Sequence, residues 1–293
     1  MAAGGLCDEV RTTCGRISAT AAFVRIDLDA LEHVEPGPPP ELDPVRHYLD
    51  GSPADIAAYF LTVDTVNFGS GWFPTLRKRA GSSGYVTVAW AIADRFRAHG
   101  PWTPAQLRAI GTEEIADTLG QPPDHELMAL YAQALRALGA FLGTRSALDA
   151  VRAARGSAEA LATQLARSMA LFADRGFYKR AQIVPANLAL AGVAEFNDLD
   201  RLTIFADNLV AHVLRCDGVL RYDARLAAHI DAGLLLPAGR QEREIRACAV
   251  RACELIAQRA GATEHELDNW LWSRGQAPEY KAVPRHRTRC VYY

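Results

Sequence analysis

Helix punctuation recurs from one end of this chain to the other while strand signals are almost absent, and that asymmetry constrains the fold more than any other feature. Ser52 stands before Pro53, with Asp55 three residues past the cap, and apolar Ile56, Phe60 and Val63 follow at helical spacing. Thr103-Pro104 repeats that opening. The helix it starts stops at Gly111, where Thr112 with Glu113 and Glu114 begins another. Asp124 precedes a long amphipathic run through Leu127, Leu130, Tyr131, Leu135, Leu138 and Leu142. Thr263-x-x-Glu266 reads as a capping box ahead of Leu267, Trp270 and Leu271. The expected fold is all-α: a single globular helical domain over 1–293, with an N-terminal helix at 8–34, a Pro-rich loop at 35–44 and a helical body at 45–293. The Pro-dense stretch Glu35 to Pro44 lies too near the N-terminus to divide two large domains. No 20–50-residue period repeats, which disfavours a solenoid.

Charge narrows the partners. Across 293 residues, 32 Lys and Arg stand against 34 Asp and Glu, a formal net charge of -2. Binding duplex DNA or a membrane surface draws on a basic excess that this chain lacks. No signal-peptide core precedes Arg11 and no apolar run is long enough to span a bilayer, so a cytoplasmic location without membrane contact is expected. The six cysteines form no C-x-x-C pair and no zinc spacing, so neither a metal site nor a disulfide framework is expected. Only three of the 32 basic residues are lysines, Lys78, Lys179 and Lys281, and each prompts the question why Arg would not serve.

Several segments carry chemistry. In the stretch 198–214 the capping aspartates and the apolar residues Leu199, Leu202, Phe205, Leu209, Val210 and Val213 suggest a helix, with Asp207 at the edge of its inward face. Carboxylates poised between desolvation and nearby cations serve as bases, nucleophiles or cation stabilisers, though a boundary Asp bonded to a backbone or Arg fits the pattern too. Lys179 lies between Tyr178 and Arg180, upstream of an expected helix break at Pro185; an inward-aimed ammonium and a solvated surface Lys both suit that setting. If the helix from Ser52 runs on, Asp64, Asn67 and Phe68 fall at i, i+3 and i+4, sharing one face. Gly69-Ser70-Gly71 then ends it, with Trp72 and Phe73 beyond. Aromatics that stack and an Asp that accepts from a guanine-like edge suit a planar base, and a glycine turn over a core Trp is the plainer alternative. Glu242 and Glu244 open a helix over 241–259, where the dipole favours carboxylates, and Glu244 stands one turn before apolar Cys248. The tail from Pro284 to Tyr293 mixes cations with aromatics; if tucked in, it brings His286 and Arg287 to the body, where they meet a phosphate.

Taken together, VRID at 24–27, DTVNFGSGWFP at 64–74, FYKRAQI at 177–183, LTIFAD at 202–207, QEREIRA at 241–247, LW at 271–272 and HRTRCVYY at 286–293 resemble the queuosine salvage family, the queuosine 5'-phosphate N-glycosylases. The resemblance covers nearly the whole chain in family order. It implies an all-α fold similar to helix-hairpin-helix DNA glycosylases, and hydrolysis of queuosine 5'-phosphate, a small-molecule nucleotide, to queuine and ribose 5-phosphate without metal or cofactor. It places the family's catalytic Lys on Lys179 and its catalytic Asp on Asp207. The expected substrate-binding set is Asp64, Asn67, Phe68, Ser70, Trp72, Tyr178, Phe205, Glu244 and His286. Many members continue the Asp motif with Tyr-Arg-Val-Pro-Gln, whereas this chain reads Asn208-Leu209-Val210-Ala211-His212. Any contact made elsewhere by the missing Arg then falls to Lys179, Arg180 or His286.

Two rival readings stand beside this one. The turn at Ile110-Gly111 suggests a helix-hairpin-helix DNA glycosylase or lyase with Lys179 forming a Schiff base, against which the net charge of -2 speaks. A helical binding protein without turnover is the other.

Overall fold

A computed structural model describes residues 4–293. In chain order its elements are α1 (Leu6–Ala19), β1 (Val24–Ile26), α2 (Leu28–Glu32), α3 (Pro53–Thr65), α4 (Gly84–His99), α5 (Pro104–Ala109), α6 (Thr112–Leu119), α7 (Glu126–Leu142), α8 (Ala147–Arg152), α9 (Ala158–Ser168), α10 (Lys179–Leu190), α11 (Asn208–Cys216), β2 (Leu220–Tyr222), α12 (Ala224–Asp231), α13 (Arg240–Ala260), α14 (Glu264–Arg274) and α15 (Pro278–Ala282). The fold is helical, as the punctuation requires. Ser52 and Thr103 each close a capping box, accepting from the N–H of Asp55 and Gln106, with proline at the first helical position of α3 and α5. No helix among the described residues is long and apolar enough to cross a membrane.

The chain groups into two compact units, one built from Met1–Pro40, Asp174–Lys179 and Asp200–Cys290, the other from Glu41–Ala173, Arg180–Leu199 and Val291–Tyr293. In the first, α13 is the central rod, and its buried stripe is rich in small residues (Ala247, Cys248, Ala249, Ala252, Cys253), so neighbours pack close to its axis. Against it lies α1, through Cys7, Val10 and Cys14, all fully buried. The segment read as one helix over 8–34 is α1, β1 and α2 instead. Phe23 to Ile26 is β-branched and aromatic, and β1 pairs antiparallel with β2 in the register Val24↔Tyr222, Arg25↔Arg221, Ile26↔Leu220. Helix α11 packs on α13, α14 and β2.

In the second unit α7 is fully buried along Leu127, Met128, Tyr131 and Ala132, and it meets α3, α5 and α6. The break expected at Pro185 does not occur, for α10 runs through it to Leu190. Ala181, Val184 and Leu188 on either side of the proline are wholly buried, and that packing offsets the hydrogen bond the ring removes. The helices α5 and α7 touch at Gly139, where a Cβ would stand 2.7 Å from the Arg108 nitrogen and 2.9 Å from the Pro104 carbonyl oxygen. Backbone atoms cannot rotate aside. Gly139→Ala should therefore cost about 1–3 kcal/mol by overpacking, more than the ~1 kcal/mol that alanine gains in helix propensity. A thermal midpoint equal to or above that of the unsubstituted protein would refute this close contact.

Candidate active site

Asp207 is not on a helix face. Residues 202–206 are fully buried and belong to no helix or strand, and Asp207 is the N-cap of α11, its Oδ1 accepting from Leu209 N at 2.7 Å and Val210 N at 3.0 Å. From Leu202 to Ala206 every residue but Thr203 is apolar, a pattern without helical period that suits a buried segment outside any helix. Capping consumes one carboxylate oxygen. Among the described residues Oδ2 receives no hydrogen bond from the protein, and the side chain is half-buried.

A buried segment outside helix and sheet must satisfy its backbone in some other way. Here side chains do so: Glu264 accepts from the Ile204 N–H and Thr203 Oγ1 donates to the Ile204 carbonyl. Phe205 N donates to Asp268 Oδ1 at 2.8 Å, and Arg246 Nε donates to the Ala206 carbonyl at 2.9 Å. Asp268 is buried on α14, and burial pushes its carboxyl up to about 8; the negative charge of Asp207 adds to the rise, while the Phe205 N–H and Lys179 oppose it. Arg246 in turn pairs with Asp174 through contacts of 2.5 and 3.2 Å, reaches Glu242 at 3.4 Å and stacks on the Phe177 ring at 4.0 Å. The Asp174 carbonyl then accepts from Phe177 N and Tyr178 N, closing the loop that leads into Lys179. Lys179 is buried as the first residue of α10. Tyr178 holds φ at +50°, a left-handed conformation costly for a bulky residue, and its hydroxyl donates to Glu9.

The sequence-derived residues therefore divide. Asp207, Lys179, Tyr178, Phe205, Glu244 and His286 belong to the first unit; Asp64, Asn67, Phe68, Ser70 and Trp72 belong to the second. Glu244 does point inward, but Oε2 accepts from Ala22 N and Phe23 N and Oε1 from Arg240, so its carboxylate fastens the strand entry. His286 is buried, and burial next to Arg246 and other cations presses its imidazole down to about 3. It is neutral at pH 7 and brings no positive charge to a phosphate.

In the second unit α3 ends at Thr65, so Asn67 and Phe68 follow the helix instead of extending its face. The backbone leaves the helix because Gly69 adopts φ +108° and lies against Leu127, where no Cβ fits. Asn67 still reaches Asp64, at 3.5 Å, while Asn187 Nδ2 lies 3.0 Å from both Asp64 oxygens. Each carboxylate oxygen has two acceptor sites, so this amide does not by itself exhaust Asp64. Phe68 is covered on one face by the Arg180 guanidinium at 4.5 Å and meets Tyr131 edge-on at 5.1 Å. Trp72 Nε1 donates to Glu126 at 2.7 Å, and Ser70 Oγ is buried with no hydrogen-bond partner among the described residues. Arg180 is committed to structure: it donates to the carbonyls of Thr65, Leu171 and Val291 between the Phe68 and Phe172 rings.

Asp268, Arg246 and Asn187 went unseen in the sequence. The first two do carry a signal, since Asp268 shares the stripe of Leu267 and Leu271 on α14, and Arg246 that of Ile245 and Ala249 on α13. A charge on an apolar stripe has to find a partner.

Residues 47–293 match the sequence profile of a family described as queuosine salvage protein. A protein of Sphaerobacter thermophilus named queuosine 5'-phosphate N-glycosylase/hydrolase is 33% identical over 97% of this chain and 97% of its own length. Proteins of the same name match at 39% identity in Bos taurus over 40% of each chain, and at 29% in Nematostella vectensis over 65% of this chain and 66% of that one.

A carboxyl at about 8 in the fold and near 3.8 unfolded takes up a proton on folding between those pH values, so its contribution is fully present below pH 3.8 and is lost as pH rises toward 8. Asp268→Asn removes that loss and keeps an acceptor for Phe205 N. Relative to the unsubstituted protein the variant should gain stability between pH 5 and 8, by up to about 1.4 kcal/mol per pH unit. Parallel melting curves across that range would show that Asp268 is ionised in the fold.

Proposed function

Because the chain belongs to the queuosine salvage protein family, we propose that it hydrolyses the N-glycosidic bond of queuosine 5'-phosphate, releasing queuine and ribose 5-phosphate. What most supports this is the similarity to the Sphaerobacter protein, which extends over 97% of both chains and so spans the segments of Asp64, Lys179 and Asp207 alike. The substrate is a single nucleotide and not a polymer, in keeping with a net charge of -2, and the reaction takes place in the cytoplasm.

In this reaction the C1'–N bond breaks with its electron pair leaving on the base. Water supplies hydroxide to C1', and its proton ends on the queuine nitrogen. Positive charge builds on the ribose in the transition state, so a carboxylate beside C1' lowers the barrier. Asp207 takes that role through Oδ2, while Oδ1 stays on the α11 cap. Capping fixes the carboxylate in advance, so no reorganisation is needed as the charge develops. Lys179 is the second residue assigned to the chemistry. The left-handed Tyr178 immediately before it supports this placement, since backbone strain concentrates where geometry serves function. Queuine is a 7-deazapurine and lacks N7, so protonation there cannot activate its departure. Hydrogen bonds donated along the base edge must carry the leaving charge.

Asparagine caps a helix about as well as aspartate, so Asp207→Asn separates chemistry from folding. The variant should melt within a few degrees of the parent, still bind queuine, and turn over queuosine 5'-phosphate slower by roughly 10²–10⁴-fold or more. Chromatographic detection of queuine at a near-normal rate would remove Asp207 from the mechanism.

A further inference from the structure

The loop that leads into Lys179 is held from two helices of the first unit. From α13, Arg246 pairs with Asp174 and stacks on the Phe177 ring. The other helix is α1, which supplies none of the residues assigned to the chemistry. It is a firm support, for Cys7, Val10 and Cys14 are fully buried along it and Asp8 closes its start by accepting from Gly5 N at 3.2 Å.

Three side chains of α1 meet the loop. The Cys14 thiol donates to the Gly176 carbonyl at 3.4 Å, and burial pushes that thiol up to about 12, so it keeps its proton. Gly176 takes φ +82° and lies so close to α1 that a Cβ would stand 2.7 Å from the Thr13 methyl. One turn before Thr13, the carboxylate oxygens of Glu9 accept from the Tyr178 hydroxyl at 2.9 and 3.1 Å. Burial, with Glu9 adding to it, pushes this phenol up to about 12, so it remains a donor at neutral pH.

These contacts differ in what they have to sustain. Glycine adopts a positive φ at no steric cost, so the turn at Gly176 needs little help. Tyr178 pays for its φ of +50°, and such a conformation persists only where the surroundings over-determine it. Both ends of Tyr178 are tied: its N–H donates to the Asp174 carbonyl at 2.7 Å, and its hydroxyl to Glu9. The next residue in the chain is Lys179, so any return of Tyr178 to an ordinary backbone conformation displaces the lysine.

We propose that Glu9 is a positioning residue: by holding the Tyr178 hydroxyl against α1 it keeps the Tyr178 backbone left-handed and so fixes the place from which Lys179 acts. The inference rests on the assignment of Lys179 to the chemistry made above.

The test compares the parent protein with Glu9→Ala, Tyr178→Phe, the double variant and Glu9→Gln, with Thr12→Ala as an exposed control on α1. Turnover of queuosine 5'-phosphate gives kcat and KM, and hydrogen exchange of the 174–178 amides reports on the loop itself. Loss of one hydrogen bond should lower kcat by about 3–10-fold and speed exchange by a similar factor, while KM of Glu9→Ala stays within about twofold. The double variant should be no worse than either single one, because both remove the same bond. Glu9→Gln, whose amide oxygen still accepts, should keep most of the parent's kcat, and Thr12→Ala all of it. A parent-like kcat for Glu9→Ala, losses that multiply in the double variant, or a Glu9→Gln as impaired as Glu9→Ala would overturn the proposal. Absence of turnover by the parent would overturn the glycosylase reading instead; exchange in Glu9→Ala then decides whether Glu9 holds the loop, and an unchanged rate overturns that as well.

Discussion

The unit that holds Asp207 is organised around one stretch of backbone that belongs to no helix or sheet. Residues 202–206 are excluded from water, so their amides and carbonyls depend on side chains. Asp268 and Arg246 answer part of that need, and each brings an ionisable group into the interior to do so. A buried arginine is tolerable only with nearly every donor placed, and Arg246 achieves this with Asp174, Glu242 and the Ala206 carbonyl. Asp174 begins the loop that delivers Lys179. The requirement of one buried segment for hydrogen bonds therefore propagates to both residues assigned to the chemistry.

Asp268 resolves the same problem by a different route. Where Arg246 stays charged and recruits counter-ions, Asp268 gives up its charge by holding a proton. A second carboxylate ionised near Asp207 would cost more than it returned, whereas a neutral acid still accepts from Phe205 N. In the other unit Arg180 follows a third course, satisfied by carbonyl dipoles and two aromatic faces in place of a carboxylate. It gathers the end of α3, the turn at Leu171 and the C-terminal segment on one side chain.

The helices and their starts were legible in the sequence because capping is local: Ser52, Pro53 and Asp55 interact within a single turn. The Val24–Ile26 strand was missed because its three-residue pairing depends on β2, almost two hundred positions away. Asp207 was singled out for its type and neighbours, yet its role as N-cap was hidden by an apolar run long enough to pass for helix. Pro185 signalled a break that buried packing overrides. Glu244 was rightly read as inward-facing, but which group it meets is a tertiary matter, as is the engagement of Asp64 by Asn187. Local chemistry can be read along the chain, and long-range partners cannot.

The divided carboxylate of Asp207 has a consequence for how this position can vary over time. A residue that only capped α11 would drift among Ser, Thr, Asn and Asp with modest loss. One that only carried charge would be replaceable by Glu when its neighbours adjusted. On the role proposed for Oδ2, the two demands intersect at position 207: the short side chain is set by the cap and the second oxygen by the reaction. Substitutions that spare the fold would then forfeit catalysis, and the longer acid endangers the cap. Compensation elsewhere in the protein can restore stability but cannot restore the missing oxygen, so the site offers no gradual route of change.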